Sequence, residues 1–280
     1  MILVTTAGKV GSEVVRLLRQ REMPVRVLVR TPKKAEALAE AGAEIAEGDL
    51  EAPLTIDEAM AGVTTVVLVN PGVPAQELNV IHSAVRAGVE HVVKVTSKAS
   101  ADSPIARRRW QTEIEEGLIA SGMAHTLLRN NAYMQNFLTL APAIAKTGSF
   151  GSSAAAGRVG LIDARDVGAV AAEIAASPRA HQGKTYWLTG PALLSYSDVA
   201  AVLSKVLGRP ITFRELSVED DKEAMIRAGV PAPVAAMNAQ AFSLIAAGDA
   251  AWLSEDVPSL LGRPARSFEQ FAIDDAAAFS

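Results

Sequence analysis

The 280-residue sequence contains no cysteine. That excludes disulfides, thiolate nucleophiles and cysteine-ligated zinc, and it fits a reducing, cytoplasmic setting. Histidine is nearly as scarce: His82, His91, His125 and His181 are dispersed, none forms a helical pair, and no metal site is expected. The formal net charge is only -4 and no long block of one sign occurs, so neither nucleic acid nor an anionic membrane is expected as the main partner. No apolar run approaches the length of a bilayer span, and no basic leader precedes Ile2, Leu3 and Val4. The nucleophile elbow Gly-x-Ser-x-Gly, a phosphate loop ending in Gly-Lys-Ser/Thr, and His-Glu-x-x-His are all missing. The expectation is a soluble protein.

Hydrophobic residues make up 49% of the chain, enough for a sizeable core. Short β-rich runs alternate with helical patterns. Strands are expected at Ile2–Thr5, Val25–Val29, Glu44–Ala46, Thr65–Val69, His91–Thr96 and Thr126–Leu128. Helices are expected at Gly11–Arg21, Pro32–Ala41, Pro53–Ala61, Gln76–Ala87 and Ile105–Ala120. Runs such as Val66-Val67-Leu68-Val69 are apolar on both faces, the pattern of a parallel sheet covered by helices on either side. The alternation predicts an α/β, doubly wound parallel Rossmann sheet. Beyond it, Gly148 to Gly160 reads as a loop, Ala164–Ala176 as a helix and Lys184–Thr189 as a strand. Ser195 with Asp198 starts a helix that Leu207-Gly208-Arg209-Pro210 closes, and Ser267 with Gln270 caps another. The expected division is a dinucleotide-binding domain over 1–190 and a smaller, mostly helical, substrate-side lobe over 191–280.

The turn after the first strand, Thr5-Thr6-Ala7-Gly8-Lys9-Val10-Gly11, suits a pyrophosphate. Glycines let the backbone approach the anion, and the following helix points free N–H groups at it. Cofactor contacts are therefore expected from Thr6, Gly8, Lys9, Val10 and Gly11. NAD-specific proteins carry an acid about 20 positions beyond these glycines. Here that place holds Arg30, with Lys33 and Lys34 behind it. A guanidinium grips a 2′-phosphate that an acid would repel, so NADP(H) is expected to be preferred over NAD(H). Asp49 and Leu50 are candidates for the adenine, Asn70 and Pro71 for the ribose and pyrophosphate, and Thr96 and Ser97 for the end of the fifth strand. Each of these last three pairs also suits an ordinary loop.

Longer segments point further. Thr112-Glu113-Ile114, Ala120-Ser121-Gly122, the run Thr126 to Phe137 with Asn130-Asn131-Ala132-Tyr133, Gly160 to Val167, and Tyr186 to Pro191 together resemble the NmrA-like group of atypical short-chain dehydrogenase/reductases. The likeness covers residues 1 to about 215. It implies NAD(P)H-dependent reduction of quinones, azo dyes or triphenylmethane dyes. The same group holds redox-sensing regulators that bind the dinucleotide without turnover, so the resemblance leaves both open. Two departures stand out. The glycine loop is one residue short, with Thr5 at its first glycine position, and Arg109-Trp110-Gln111 stands where relatives place a histidine. The superfamily's Tyr-x-x-x-Lys dyad is also absent, because Phe137, Gly190 and Ala200 lie four residues beyond the three tyrosines, Tyr133, Tyr186 and Tyr196. Without that proton donor, a soft conjugated acceptor is favoured, whose reduced product is a delocalised anion. Lys98, Asn131, Tyr133 and Met134 are the expected pocket for this small-molecule acceptor, and no residue is assigned a catalytic role. The apolar helices carrying Ala236, Met237 and Phe242, with Trp252 beyond them, are expected either to line that cleft or to form a homo-oligomer face.

Overall fold

The computed structural model describes residues 1–69 and 72–280; Asn70 and Pro71, proposed above for the ribose, lie outside the described residues. The first half alternates strictly. In chain order it runs β1 (Ile2–Val4), α1 (Lys9–Gln20), β2 (Val25–Val29), α2 (Glu36–Glu40), β3 (Glu44–Glu47), α3 (Pro53–Ala59), β4 (Thr65–Val69), α4 (Pro74–Ala87), β5 (His91–Ser97), α5 (Ala106–Ala120) and β6 (Ala124–Asn130). The expected helix Pro32–Ala41 is divided: Pro32–Ala35 is a 3-10 turn and only Glu36–Glu40 is α-helical. Proline fixes φ at its start, and five residues leave α2 no buried side chain of its own.

The second half continues with α6 (Ala141–Thr147), β7 (Ser149–Ser152), β8 (Arg158–Val159), α7 (Ala164–Ala176), β9 (Thr185–Leu188), β10 (Leu194–Ser195), α8 (Tyr196–Leu207), β11 (Thr212–Glu215), α9 (Val218–Arg227), α10 (Ala232–Ala246), α11 (Asp256–Leu261) and α12 (Phe268–Asp274). Seven strands form one sheet in the order β3-β2-β1-β4-β5-β6-β9, every neighbouring pair parallel. The order reverses between β1 and β4, and the crevice beyond the carboxyl ends of strands at such a reversal is where open α/β sheets take ligands.

Helices cover both faces. Val10, Val14, Val15 and Leu18 of α1 pack with Val167, Val170 and Ile174 of α7 on one face. Ile56, Val80, Ile81, Ile114 and Leu118 cover the other. Here α1 and α7 approach closely, since a Cβ on Gly168 would lie 3.1 Å from the Val10 carbonyl oxygen and 2.8 Å from Glu13.

A third core belongs to the lobe. Phe137 sits 5.9 Å from Phe150 and 5.3 Å from both Tyr196 and Phe268, ring centre to ring centre. This core draws on residues 134–161 as well as on the chain beyond 190, so the lobe is interleaved with the sheet in sequence. The segment Gly148 to Gly160, expected as a loop, holds two strands. β7 pairs in parallel with β11, and β8 pairs antiparallel with β10. Ser-Phe-Gly-Ser carries no alternation strong enough to announce a strand, and its partner lies far along the chain, so the pairing is set by tertiary structure. The start of α8 is as expected: Ser195 and Asp198 form a reciprocal capping box. No described helix is long and apolar enough to cross a membrane.

Candidate functional site

The turn from β1 into α1 is built from the bottom up by one contact. A Cβ on Gly11 would lie 2.0 Å from the carbonyl oxygen of Thr6, so only glycine lets the helix begin this close to the strand. Gly8 is different. Its φ is -71°, and an added Cβ would meet only the Thr6 hydroxyl at 3.5 Å. The chain itself leaves Gly8 room, and its openness faces outward. Thr5, at the missing first glycine, accepts a 3.0 Å hydrogen bond from the Val69 amide and locks β1 to β4. At its N-terminus α1 has no side-chain cap and no acid in its first turn, while Lys9 is exposed beside it. Uncapped N–H groups at the positive end of a helix dipole form an anion site.

At the end of β2, Arg30, Lys33 and Lys34 are all exposed, and none makes an ion pair or side-chain hydrogen bond among the described residues. At the end of β3, Asp49 uses one carboxylate oxygen to accept from the Glu51 amide at 3.0 Å, and the other has no hydrogen bond among the described residues. Leu50 is half-buried against the helix-covered core. These groups follow one edge of the sheet from the switch point outward. Uncapped donors, unpaired cations and an open glycine fit a pyrophosphate with a phosphorylated ribose.

Beyond β4 the polar groups are engaged. Thr96 turns its side chain beneath the sheet, where its hydroxyl lies 2.8 Å from Gln111 Oε1 and 3.0 Å from Glu115 Oε1. Arg129 completes this network through Glu115, and its guanidinium stacks 5.2 Å above the Trp187 ring. The amide of Gln111 also presses on the loop after β4, since a Cβ on Gly72 would fall 2.3 Å from its nitrogen. Ser97 is half-buried at the end of β5.

The four residues expected around the acceptor separate. Asn131 is buried and directs both ends of its amide at backbone: Nδ2 donates to the Ala250 carbonyl at 3.0 Å, and Oδ1 accepts from the Ala132 amide. Met134 is sealed in the lobe core against Phe137 and lines a small apolar cavity with Leu161 and Pro191. Tyr133 and Lys98 remain open to a ligand. Tyr133 packs against the core on the face of the sheet that carries α1, and its backbone bridges to Ile162. Its hydroxyl has no partner among the described residues, and burial pushes its pKa above the ordinary tyrosine value, so it stays a protonated donor. Lys98 forms a 2.8 Å ion pair with Asp249, 151 residues further along the chain. It also lines a cavity of about 470 Å³ with Trp187, Trp252, Leu253 and Ser254. Ala236 is exposed, Met237 is half-buried, and Phe242 packs on Tyr196 at 6.0 Å.

Trp187 in the cavity wall, and Asp249 and Arg108 tied to it through Lys98, are not among the candidate site residues singled out in the sequence. One signal was available for Arg108. Three consecutive arginines, 107 to 109, open α5 at the positive end of its dipole, the end that disfavours cations. Asp249 carries no such local mark.

The NmrA-like family model matches residues 1–253. Over its full length the chain is 39% identical to an NAD(P)H azoreductase of Xenophilus azovorans, covering 99% of that protein. An NADPH-dependent quinone oxidoreductase of Escherichia coli, solved with NADPH, superposes with a TM-score of 0.88 at 30% identity, covering 99% of this chain and all of that one. The triphenylmethane reductase of Citrobacter, solved with NADP(H), superposes with a TM-score of 0.87 at 27% identity over the same shares. By sequence over residues 1–253 and by fold, the chain belongs to the NmrA-like family.

Proposed function

We propose that this protein is an NADPH-dependent reductase that passes a hydride to a small conjugated acceptor of the quinone or azo type. The observation that carries the reading is the asymmetry of the sheet's edge. Anion-binding groups lie unpartnered from α1 to Arg30, while an aromatic cavity opens beyond β5. When bound, NADPH supplies the hydride. The chain's own residues do the rest. The first turn of α1 and Lys9 hold the pyrophosphate, and Gly8 leaves it space. Arg30, with Lys33 and Lys34, holds the 2′-phosphate and sets the preference for NADPH over NADH. Tyr133 donates a hydrogen bond from its unpartnered hydroxyl to a ligand at the centre of the edge. The cavity beside Trp187 and Trp252 holds a flat ring and keeps water from its face. The Tyr-x-x-x-Lys dyad that serves ordinary ketone reduction is absent, which suits acceptors whose reduced form is a delocalised anion needing little acid help. The relatives named as azo and quinone reductases support the same class of acceptor.

The test is multiple turnover. Purified protein should oxidise NADPH many times over with a naphthoquinone and with a hydroxyazobenzene, and more slowly with NADH. Tight NADPH binding with oxidation no faster than in buffer would overturn the reading in favour of a dinucleotide sensor.

A further inference from the structure

We infer that the cavity between Lys98 and the Trp187–Trp252 pair is a subsite for aromatic acceptors that carry an oxyanion, a carboxylate or a sulfonate. The inference deepens the reductase reading and rests on it for the word acceptor; the binding preference itself does not.

The wall comes first. Trp187 and Trp252 meet edge to face with ring centres 5.3 Å apart. Trp187 is fixed on one face, because Arg129 lies over its ring, and its backbone amide donates to Asp256 at 2.7 Å. Trp252 is fixed through its neighbours: the Ala250 carbonyl accepts from Asn131, and the Ser254 amide donates to Thr189 at 3.1 Å. Two held indoles, with Leu253 exposed beside them, present a face suited to an aryl ring.

The charge comes second. Lys98 and Arg108 converge on the two oxygens of Asp249. Burial alone would raise the pKa of this carboxyl, but the hydrogen bonds from Arg108 and Lys98 outweigh it and hold the group ionised. One carboxylate thus serves two cations. An ammonium has three donors and a guanidinium five, and each here directs one at Asp249. The remainder have no protein acceptor among the described residues. Arg107, next along α5, has only the amide oxygen of Asn238 at 3.3 Å. Asp256 does not offset this excess, since its carboxylate is turned to the Trp187 backbone. The arginines also sit at the positive end of the α5 dipole with no acid in that turn. A second oxyanion at Lys98 would complete the set without displacing Asp249. Aryl stacking and charge-assisted bonds then act on the same molecule.

The test uses two probes of one ring system, naphthalene-2-sulfonate and naphthalene-2-methanol, titrated calorimetrically into the NADPH-loaded and the free protein. The sulfonate should bind at least tenfold more tightly. Asp249→Asn, which frees both cations, should tighten the sulfonate severalfold while leaving the alcohol within twofold. Lys98→Gln should bring the two probes close to parity, and Trp252→Ala should weaken both. Lys98 is partly exposed, so its variant reports even if Asp249→Asn loosens the lobe. Equal affinity for the two probes in the unmodified protein, or a ratio unmoved by Lys98→Gln, would overturn the inference. Naphthoquinone turnover in the same samples separates the two claims. Turnover without sulfonate preference removes the subsite and keeps the reductase; sulfonate preference without turnover does the reverse.

Discussion

The two sides of the cleft differ in what their polar groups are doing. On the first side the start of α1 has no side-chain cap, and Lys9, Arg30, Lys33 and Lys34 form no ion pair among the described residues. On the second side the polar side chains of Thr96, Lys98, Arg108, Asn131 and Asp163 are each bonded to other parts of the chain. Asn131 holds Ala250, Lys98 and Arg108 hold Asp249, and Asp163 takes bonds from Arg165 and Gln135. The first side is organised for a ligand that brings its own charge. The second is organised to hold a lobe against a sheet, with the acceptor fitted into what remains. Substitutions on the first side are expected to alter cofactor binding with little effect on stability, and substitutions on the second to alter stability as well.

The largest effect should come from two glycines three residues apart. Gly11→Val places a Cβ against the Thr6 carbonyl and adds two methyl groups where none fit. A loss of about 3 kcal/mol or more in unfolding free energy is expected, in the range of severe overpacking and backbone strain. Gly8→Val meets only a hydroxyl at contact distance. That variant should melt within a few degrees of the parent yet bind NADPH at least tenfold more weakly, because its side chain occupies the outward space. Chemical denaturation and cofactor titration of both variants check this. A Gly8→Val protein with normal NADPH affinity would place the phosphates elsewhere.

Acid probes what the two sides share. The Asp163 and Asp249 carboxyls are held below the ordinary carboxylate range by the cations bonded to them. The sheet beneath does respond. His91 is buried at the start of β5, where its Nε2 lies 2.9 Å from the Thr126 hydroxyl and its Nδ1 has no partner. Thr126 already donates to the His181 carbonyl, so the neutral ring donates through Nε2. Burial, with His125 and His181 nearby, lowers its pKa from 6.5 to about 4. The unfolded chain therefore binds the proton first, and stability falls as pH drops from about 6.5 toward 4. The shift corresponds to about 3 kcal/mol. Unfolding curves across this window should show the slope, and His91→Gln should flatten it. An equal slope in that variant would assign the effect to carboxylates of the lobe.

How far these features were visible in the sequence follows the same divide. β2, β4 and α7 fall on the expected residues, and α1, α4 and α5 differ only at their ends, because each is announced by its own apolar pattern. Arg30 stands out as a candidate because its place is counted from the glycines along one helix and one strand. The lobe was not legible in the same way. β7 exists through β11, the cavity through Trp187 and Trp252 from separate segments, and Asp249 through two cations more than a hundred residues earlier in the chain. Asn131 and Met134 show the converse: their local run singles out the loop beyond β6, but tertiary packing directs their side chains inward.

The smallest of the expected effects bears most directly on the comparison. Arg30 is exposed, with no ion pair to lose, so Arg30→Glu should leave the unfolding free energy within about 0.5 kcal/mol. Its effect should appear only with the ligand. A charged hydrogen bond of this kind contributes on the order of 1.5–3 kcal/mol, so NADPH affinity should fall by roughly tenfold to a hundredfold. NADH has no 2′-phosphate, and the new carboxylate can accept from its ribose hydroxyl, so NADH affinity should hold or rise. Lys33→Gln and Lys34→Gln should act in the same direction with smaller steps, since a lysine offers a point charge rather than a paired fork. Titrations of all three variants with both cofactors at two salt concentrations decide the matter. A parallel loss for NADPH and NADH would make these cations a general field around the pyrophosphate. Equal affinities for the two cofactors in the parent protein would remove the 2′-phosphate site from the first side altogether.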